Sequence, residues 1–214
     1  MIEKLSERTS RIPKSRLESL TDLIFGLALS IGSLSLLAKV PSTPSDAYVD
    51  LSGFAFSFLI LISIWFRYTG AMSLLPMESL GIVLLNTAML FLISIEPYLL
   101  GLLTTSSEAT SGAVLSFASE AYALDLAGLM LILGIFAHKL TSGRLESIKP
   151  ELVSVYRRVR NTQYIVGVWF AISALPFFWT WQLLGTQARI DMWYFALVFI
   201  GMSRLSGTLT KIRS

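Results

Sequence analysis

Cysteine is absent from this chain of 214 residues, histidine occurs once, and charged residues make up only 14% of it. The lack of cysteine excludes disulfides, thiolate metal sites and cysteine nucleophiles. The single histidine, His138, excludes a histidine-based metal cluster. Soluble globular domains carry roughly 25% charged residues. The composition therefore argues against a soluble enzyme and against a nucleic-acid-binding domain, and it predicts no catalytic residue, no metal site and no cofactor.

Hydrophobic residues, in contrast, make up 54% of the chain, and its mean hydropathy is +0.67. A helix that spans the bilayer core needs about 20 mostly apolar residues. Hydropathy predicts six such helices in one all-α integral membrane domain over residues 1–214. The predicted spans cover residues 17–39, 50–68, 78–97, 110–138, 152–184 and 190–209.

The positions of the basic residues predict the orientation of these spans. Cytoplasmic loops of membrane proteins are enriched in Lys and Arg. When both termini are placed in the cytoplasm, all but two of the 17 Lys and Arg residues fall on the inner side, and only Lys39 and Arg189 fall outside. We therefore expect a multi-pass protein of the cell membrane with cytoplasmic N and C termini. Pro176 is expected to kink the fifth span.

The first span combines an aliphatic stripe with polar residues at its inner end. At 100° per residue, Leu27, Ile31 and Leu34 fall within a stripe about 60° wide, and Ser30 lies at its edge. Asp22 lies about 140° from Leu27 and is not part of the stripe. Such a stripe can face lipid or pack against another helix. Around a symmetry axis, rings of such stripes can instead close a pore by dewetting. The residues alone leave these interpretations open.

A motif at the start of this span resembles that of a known family. The segment Arg16-x-x-x-Leu20-Thr21-Asp22 is similar to the signature of the transmembrane protein 175 family of potassium channels, an arginine followed after three residues by Phe-Ser-Asp. The resemblance extends through the third span, and the rest of the chain agrees in span count and length. Three further positions match in the second and third spans: Trp65, Asn86 and Pro97.

The resemblance implies a potassium-permeable cation channel that conducts passively. Prokaryotic members of the family are six-helix subunits that assemble as homotetramers, with the first helix of each copy around a central pore and no pore-loop filter. The implied constriction is formed by Leu27, Ile31 and Leu34, and Ser30 takes the place of a pore-lining threonine. The implied partners are other copies of this chain, the lipid bilayer and monovalent cations, with K⁺ as the permeant ion.

The family also has a polar network that ties its first helix to the second and third. A histidine usual in the second helix is replaced here by Tyr68, so we expect Tyr68 or Arg67 to take its place. The other residues implied for the network are Arg16, Leu20, Thr21, Asp22, Trp65 and Asn86.

Two other functions remain open at this point. A proton-coupled or other secondary transporter would need an acidic residue on its transport path, and Asp22 and Asp125 are the candidates. A membrane scaffold that transports nothing is the third possibility. Ion flux into liposomes separates the first two from the scaffold, and currents far above carrier turnover separate a channel from a carrier.

Overall fold

The computed structural model describes residues 14–37, 40–75, 79–104, 112–142, 150–184 and 186–212. Parts of the predicted spans, at 38–39, 78 and 110–111, lie outside these ranges. Within them, the chain is helical apart from one small antiparallel hairpin. The elements are α1 (Lys14–Leu37), α2 (Pro44–Met72), α3 (Leu80–Thr104), α4 (Gly112–Thr141), α5 (Pro150–Ser173), α6 (Phe177–Thr180), β1 (Gln182–Leu183), β2 (Thr186–Gln187) and α7 (Ala188–Ile212).

Four of the described helices, α1 to α4, are long and apolar enough to cross a membrane. Helices α5 and α7 have 24 and 25 residues but are more polar. Arg157, Arg158 and Arg160 lie in the first half of α5. The apolar helices agree with an integral membrane protein, and the count of six spans stays a prediction.

The start of α2 shows how local sequence sets a helix boundary. The Thr43 hydroxyl accepts a hydrogen bond from the backbone N–H of Asp46 (3.2 Å), and the Asp46 carboxylate accepts one from the backbone N–H of Thr43 (2.9 Å). This capping box satisfies backbone donors that have no partner inside the helix. Pro44 occupies the first helical position, where its missing N–H costs nothing.

Helix α4 lies at the centre of the bundle and packs most extensively against α5. Small residues allow this close approach. A Cβ atom at Gly134 of α4 would lie 2.6 Å from the ring of Tyr164 on α5, and one at Gly167 of α5 would lie 3.0 Å from Leu131. Small residues at such contacts are the usual means of bringing membrane helices together. Helix α1, by contrast, packs on α2 and α3 at the edge of the bundle.

The end of α5 corrects the predicted fifth span. The sequence predicts a helix kinked at Pro176 and continuing to residue 184, but α5 ends at Ser173. Pro176 instead precedes the short helix α6, and the chain then turns through the β1–β2 hairpin. Proline lacks the N–H that a continuing helix needs. The carbonyl oxygens at the end of α5 instead accept hydrogen bonds from a side chain of α7.

That side chain is Arg189, which the charge pattern places on the outer side but which is fully buried. Its guanidinium donates to the carbonyl oxygens of Ser173 (2.7 Å), Ala174 (2.8 Å) and Leu175 (2.9 Å). It also donates to the hydroxyl of Ser119 on α4 (2.5 Å). A cation suits the negative end of a helix dipole, so Arg189 joins the ends of α4, α5 and α7.

We predict that Arg189→Ala lowers the free energy of unfolding by about 3 kcal/mol, because buried carbonyls lose a charged donor. Unfolding of the purified protein in detergent measures this loss. Arg157→Ala is the matched control, since Arg157 is exposed on α5 and surface substitutions change stability by about 0.5 kcal/mol or less. Equal stability of the two variants would contradict the role given to Arg189.

Candidate functional site

Helix α1 has one buried face and one exposed face. Its buried face packs on the bundle, and the residues of that face are Leu17, Thr21, Phe25, Ala28 and Gly32. The three residues of the predicted constriction lie on the other side, where Leu27 is 60% exposed, Ile31 44% and Leu34 58%. Leu20 extends the same exposed row towards the N-terminus. An uncovered apolar row of this length is available for contact with lipid or with other copies of the chain.

Ser30 adds an oxygen atom to the exposed side of α1. Its side chain is exposed, and its hydroxyl donates to the backbone carbonyl of Gly26 (2.7 Å), one turn back. A hydroxyl has one hydrogen and two lone pairs. Because that hydrogen points into the helix, the lone pairs of Ser30 are free to accept a hydrogen bond or to coordinate a cation.

Two polar contacts join α1 to α2 near the N-terminal end of α1. The indole Nε1–H of Trp65 donates to Oδ1 of Asp22 (2.9 Å). The hydroxyl oxygens of Thr21 and Tyr68 lie 3.1 Å apart, and Thr21 donates its own hydrogen to the carbonyl of Leu17 (2.8 Å). Tyr68 is therefore the donor to Thr21. These contacts fix the rotation of α1 about its own axis.

Tyr68 occupies the position at which the sequence expects a substitute for histidine. Its side chain is 1% exposed, and its ring packs against Phe25 of α1 with a centroid distance of 6.2 Å. With the amide oxygen of Gln163 turned towards Arg67, this oxygen accepts from the Arg67 guanidinium at 3.1 Å. Tyr68 is thus the side chain that bonds to Thr21, while Arg67 bonds to α5.

Other residues expected in the network are not joined to it by hydrogen bonds. Asn86 is fully buried on α3, and neither atom of its side-chain amide has a hydrogen-bond partner in the part of the chain that the structure describes. Arg16 is exposed and has no polar side-chain contact within the described ranges. The structure therefore brings together Thr21, Asp22, Trp65 and Tyr68.

Sequence reasoning missed a second polar cluster inside the bundle. The third span was expected to end at Glu96 and Pro97, but α3 continues to Thr104 and Glu96 is 1% exposed. Its Oε1 atom accepts from the hydroxyls of Ser57 on α2 (2.5 Å) and Tyr122 on α4 (2.9 Å). The apolar residues that follow Pro97 in the sequence could have indicated that the helix continues past Glu96.

We predict that Tyr68→Phe lowers the free energy of unfolding in detergent by about 1 kcal/mol, because the buried Thr21 oxygen loses its donor. Tyr98→Phe on α3 is the matched control, since Tyr98 is 67% exposed. If Tyr98→Phe lowered the free energy of unfolding as much as Tyr68→Phe does, the Thr21 contact would contribute nothing to stability.

Comparison with known proteins identifies relatives of this arrangement. Residues 16–97 match the model of the family described as endosomal/lysosomal potassium channel TMEM175. The fold is similar to the crystal structure of a lysosomal potassium-selective channel TMEM175 homolog from Chamaesiphon minutus. The TM-score is 0.59 and the identity 16%, over 88% of this chain and 96% of that one. Comparison with curated proteins gives no match. The N-terminal part of the chain thus resembles the TMEM175 family in sequence, and the fold resembles that of a TMEM175 homolog.

Proposed function

We propose that the chain is the subunit of a potassium-permeable channel of the cell membrane, in which four copies place α1 around a central pore. The observation that carries this proposal is the uncovered face of α1, where Leu27, Ile31 and Leu34 are exposed while the opposite face is bonded to α2. The match of residues 16–97 to the model of a potassium channel family supports the same function.

The composition of that face favours a pore wall over a lipid-facing surface. Exposed polar groups within a span are costly unless they are wet or paired. Helix α1 exposes the hydroxyl of Ser30 beside its aliphatic residues. The exposed part of α7, in contrast, is aromatic and aliphatic, as Phe195, Val198 and Phe199 show. The exposed face of α7 is therefore compatible with lipid, whereas the exposed face of α1 is better matched to a narrow channel that contains some water.

In this proposal, aliphatic rings of Leu27, Ile31 and Leu34 form the constriction. Such rings control conduction through the wetting of the throat. Ser30 oxygens replace part of the water shell of a passing K⁺ ion, because their lone pairs are free. The chain contains no Thr-Val-Gly-Tyr-Gly segment, so selectivity would come from the width of the throat and these hydroxyls. The ion moves down its gradient without a coupled reaction.

The cytoplasmic location of both termini is part of the same proposal. It places the N-terminal end of α1, with the Asp22–Trp65 and Thr21–Tyr68 contacts, at the inner mouth of the pore. These contacts hold the helix from the side away from the axis, so that the aliphatic row remains turned inward.

We predict that Leu27→Ala raises K⁺ flux into liposomes several-fold, because a methyl group in place of the larger side chain widens and wets the throat. The matched control is Leu84→Ala on α3, where the leucine is 59% exposed compared with 60% for Leu27. Leu84→Ala is expected to leave flux unchanged.

Two results would contradict the proposal. One is a wild-type protein, reconstituted as an oligomer, that is impermeable to K⁺. The other is Leu27→Ala without effect while Asp22→Asn abolishes proton-coupled uptake, which is the result that a secondary transporter predicts.

A further inference from the structure

Two carboxyl side chains lie deep inside the helix bundle, one on α3 and one on α4. Glu96 on α3 is 1% exposed and Asp125 on α4 is 3% exposed. Both belong to helices that are apolar enough to cross a membrane. A carboxylate in such surroundings is very costly unless a positive charge accompanies it.

The partners of Glu96 are neutral. Two hydroxyl groups donate to the same oxygen of its carboxyl, from Ser57 at 2.5 Å and from Tyr122 at 2.9 Å. In the described part of the chain, Glu96 has no ion pair with Lys, Arg or His. The nearby buried cation, Arg189, is bound to carbonyl and serine oxygens at the ends of α4 and α5. Hydroxyl donors alone do not neutralise a charge in the core of the bundle.

Asp125 has no hydrogen-bond partner among the described residues, although both of its carboxyl oxygens are inaccessible to solvent. Asp125 lies three residues after Tyr122 on α4, so it is on the same side of that helix as the residue that bonds to Glu96. Two negative charges inside one bundle repel each other, and both would be uncompensated. The pair therefore requires a positive species that is not one of the surrounding side chains.

A cavity gives this cluster a route to solution. It has a volume of about 270 Å³ and lies between α2, α3, α4 and α7, at the end of the bundle that carries the β1–β2 hairpin. Tyr122, which donates to Glu96, is part of its lining, as are the polar residues Ser52, Thr104 and Gln187. A space of this volume is large enough for several water molecules, and Tyr122 forms the part of its wall that lies beside the carboxyl pair.

We propose that Glu96 and Asp125 form a proton-binding site inside each subunit, separate from the central pore, and that this site exchanges protons with solution through the cavity at Tyr122. A proton removes the charge of a carboxyl without needing extra space. It also removes the need for a cationic partner at Asp125, which has none among the described residues. Within the described residues, no three His, Cys, Asp or Glu side chains are grouped as a metal ion requires.

The surroundings of the pair contain few other titratable groups. Among the described residues, Tyr122 is the titratable group that bonds to it, since its hydroxyl donates to Glu96. From α2 the cluster receives the hydroxyl of Ser57, and from α7 the ring of Trp193, which packs on Tyr122 at 5.2 Å. A change of pH that affects this cluster therefore acts through Glu96 and Asp125.

The test measures thermal unfolding of the intact protein in detergent as a function of pH, for the wild type, Glu96→Gln and Asp125→Asn. Gln keeps an oxygen that accepts from Ser57 and Tyr122. The folded chain holds protons that the unfolded chain, whose carboxyls titrate near pH 4, has released. Stability must then fall as pH rises, by about 3 °C in apparent Tm per pH unit for each carboxyl that stays protonated. Each variant is expected to lose part of this slope.

Glu18→Gln is the control for this slope, because Glu18 lies on α1 beside Lys14 and outside the cluster. It is expected to keep the wild-type slope. Equal slopes in the wild type, Glu96→Gln and Asp125→Asn would overturn the proposal.

A second measurement uses the wild type alone, so that it does not depend on the folding of any variant. The infrared spectrum at neutral pH is expected to contain the C=O band of protonated carboxyl groups. If this band is absent, a proton is not the ligand. The same conclusion follows if added sodium raises Tm at high pH and constant ionic strength. Neither measurement depends on conduction through α1, so failure of the channel proposal leaves this one standing.

Discussion

Two side-chain hydrogen bonds between α1 and α2 determine which face of α1 is available to other molecules. Trp65 donates a hydrogen bond to Asp22, and the hydroxyl of Tyr68 bonds to that of Thr21; both partners belong to α2. Because a helix is rigid over its length, bonds made in its first turns fix the direction of every later side chain. Leu27, Ile31 and Leu34 are turned away from the bundle as a consequence. The proposed pore depends on this rotation more than on any contact that the aliphatic residues themselves make.

Much of this arrangement follows from the sequence, because it depends on local periodicity. The spacing of Leu27, Ile31 and Leu34 predicts one stripe, and the angle of Asp22 predicts that it lies outside it. The replacement of a family histidine by Tyr68 predicts that Tyr68 or Arg67 enters the polar network, and Tyr68 is the one that bonds to Thr21. Hydropathy also predicts the apolar character of the first four helices. Whether the stripe lines a pore is a property of the assembly.

The mistaken predictions share one physical cause, which is that a charge or a proline was taken as the limit or the bend of a helix. Glu96 is buried within α3 because hydroxyls from α2 and α4 reach it. Arg189 is buried because the carbonyls at the end of α5 accept from it. Both partners are distant in sequence, so a local pattern does not contain them. The end of α5 before Pro176 depends on the same Arg189 contacts.

The acidic side chains discussed above thus lie in two kinds of environment. Asp22 remains exposed at one end of α1 and is oriented by an indole, whereas Glu96 and Asp125 are enclosed between helices and have no counter-ion among the described residues. In the proposed assembly, the first kind of site orients the helix that lines the ion path, and the second lies inside the bundle of each subunit. A response to pH and a passage for ions can then be separate properties of one subunit.

The central claim is that copies of α1 meet at a common axis, and single-cysteine cross-linking tests it most directly, because the chain contains no cysteine of its own. A disulfide requires Cα atoms within about 7 Å of each other. Oxidation of Ile31→Cys in membranes should give disulfide-linked dimers, whereas Leu84→Cys on the outer side of α3 should remain monomeric in a denaturing gel. If Ile31→Cys stays monomeric and reacts only with lipid-soluble thiol reagents, α1 faces lipid and the account is wrong.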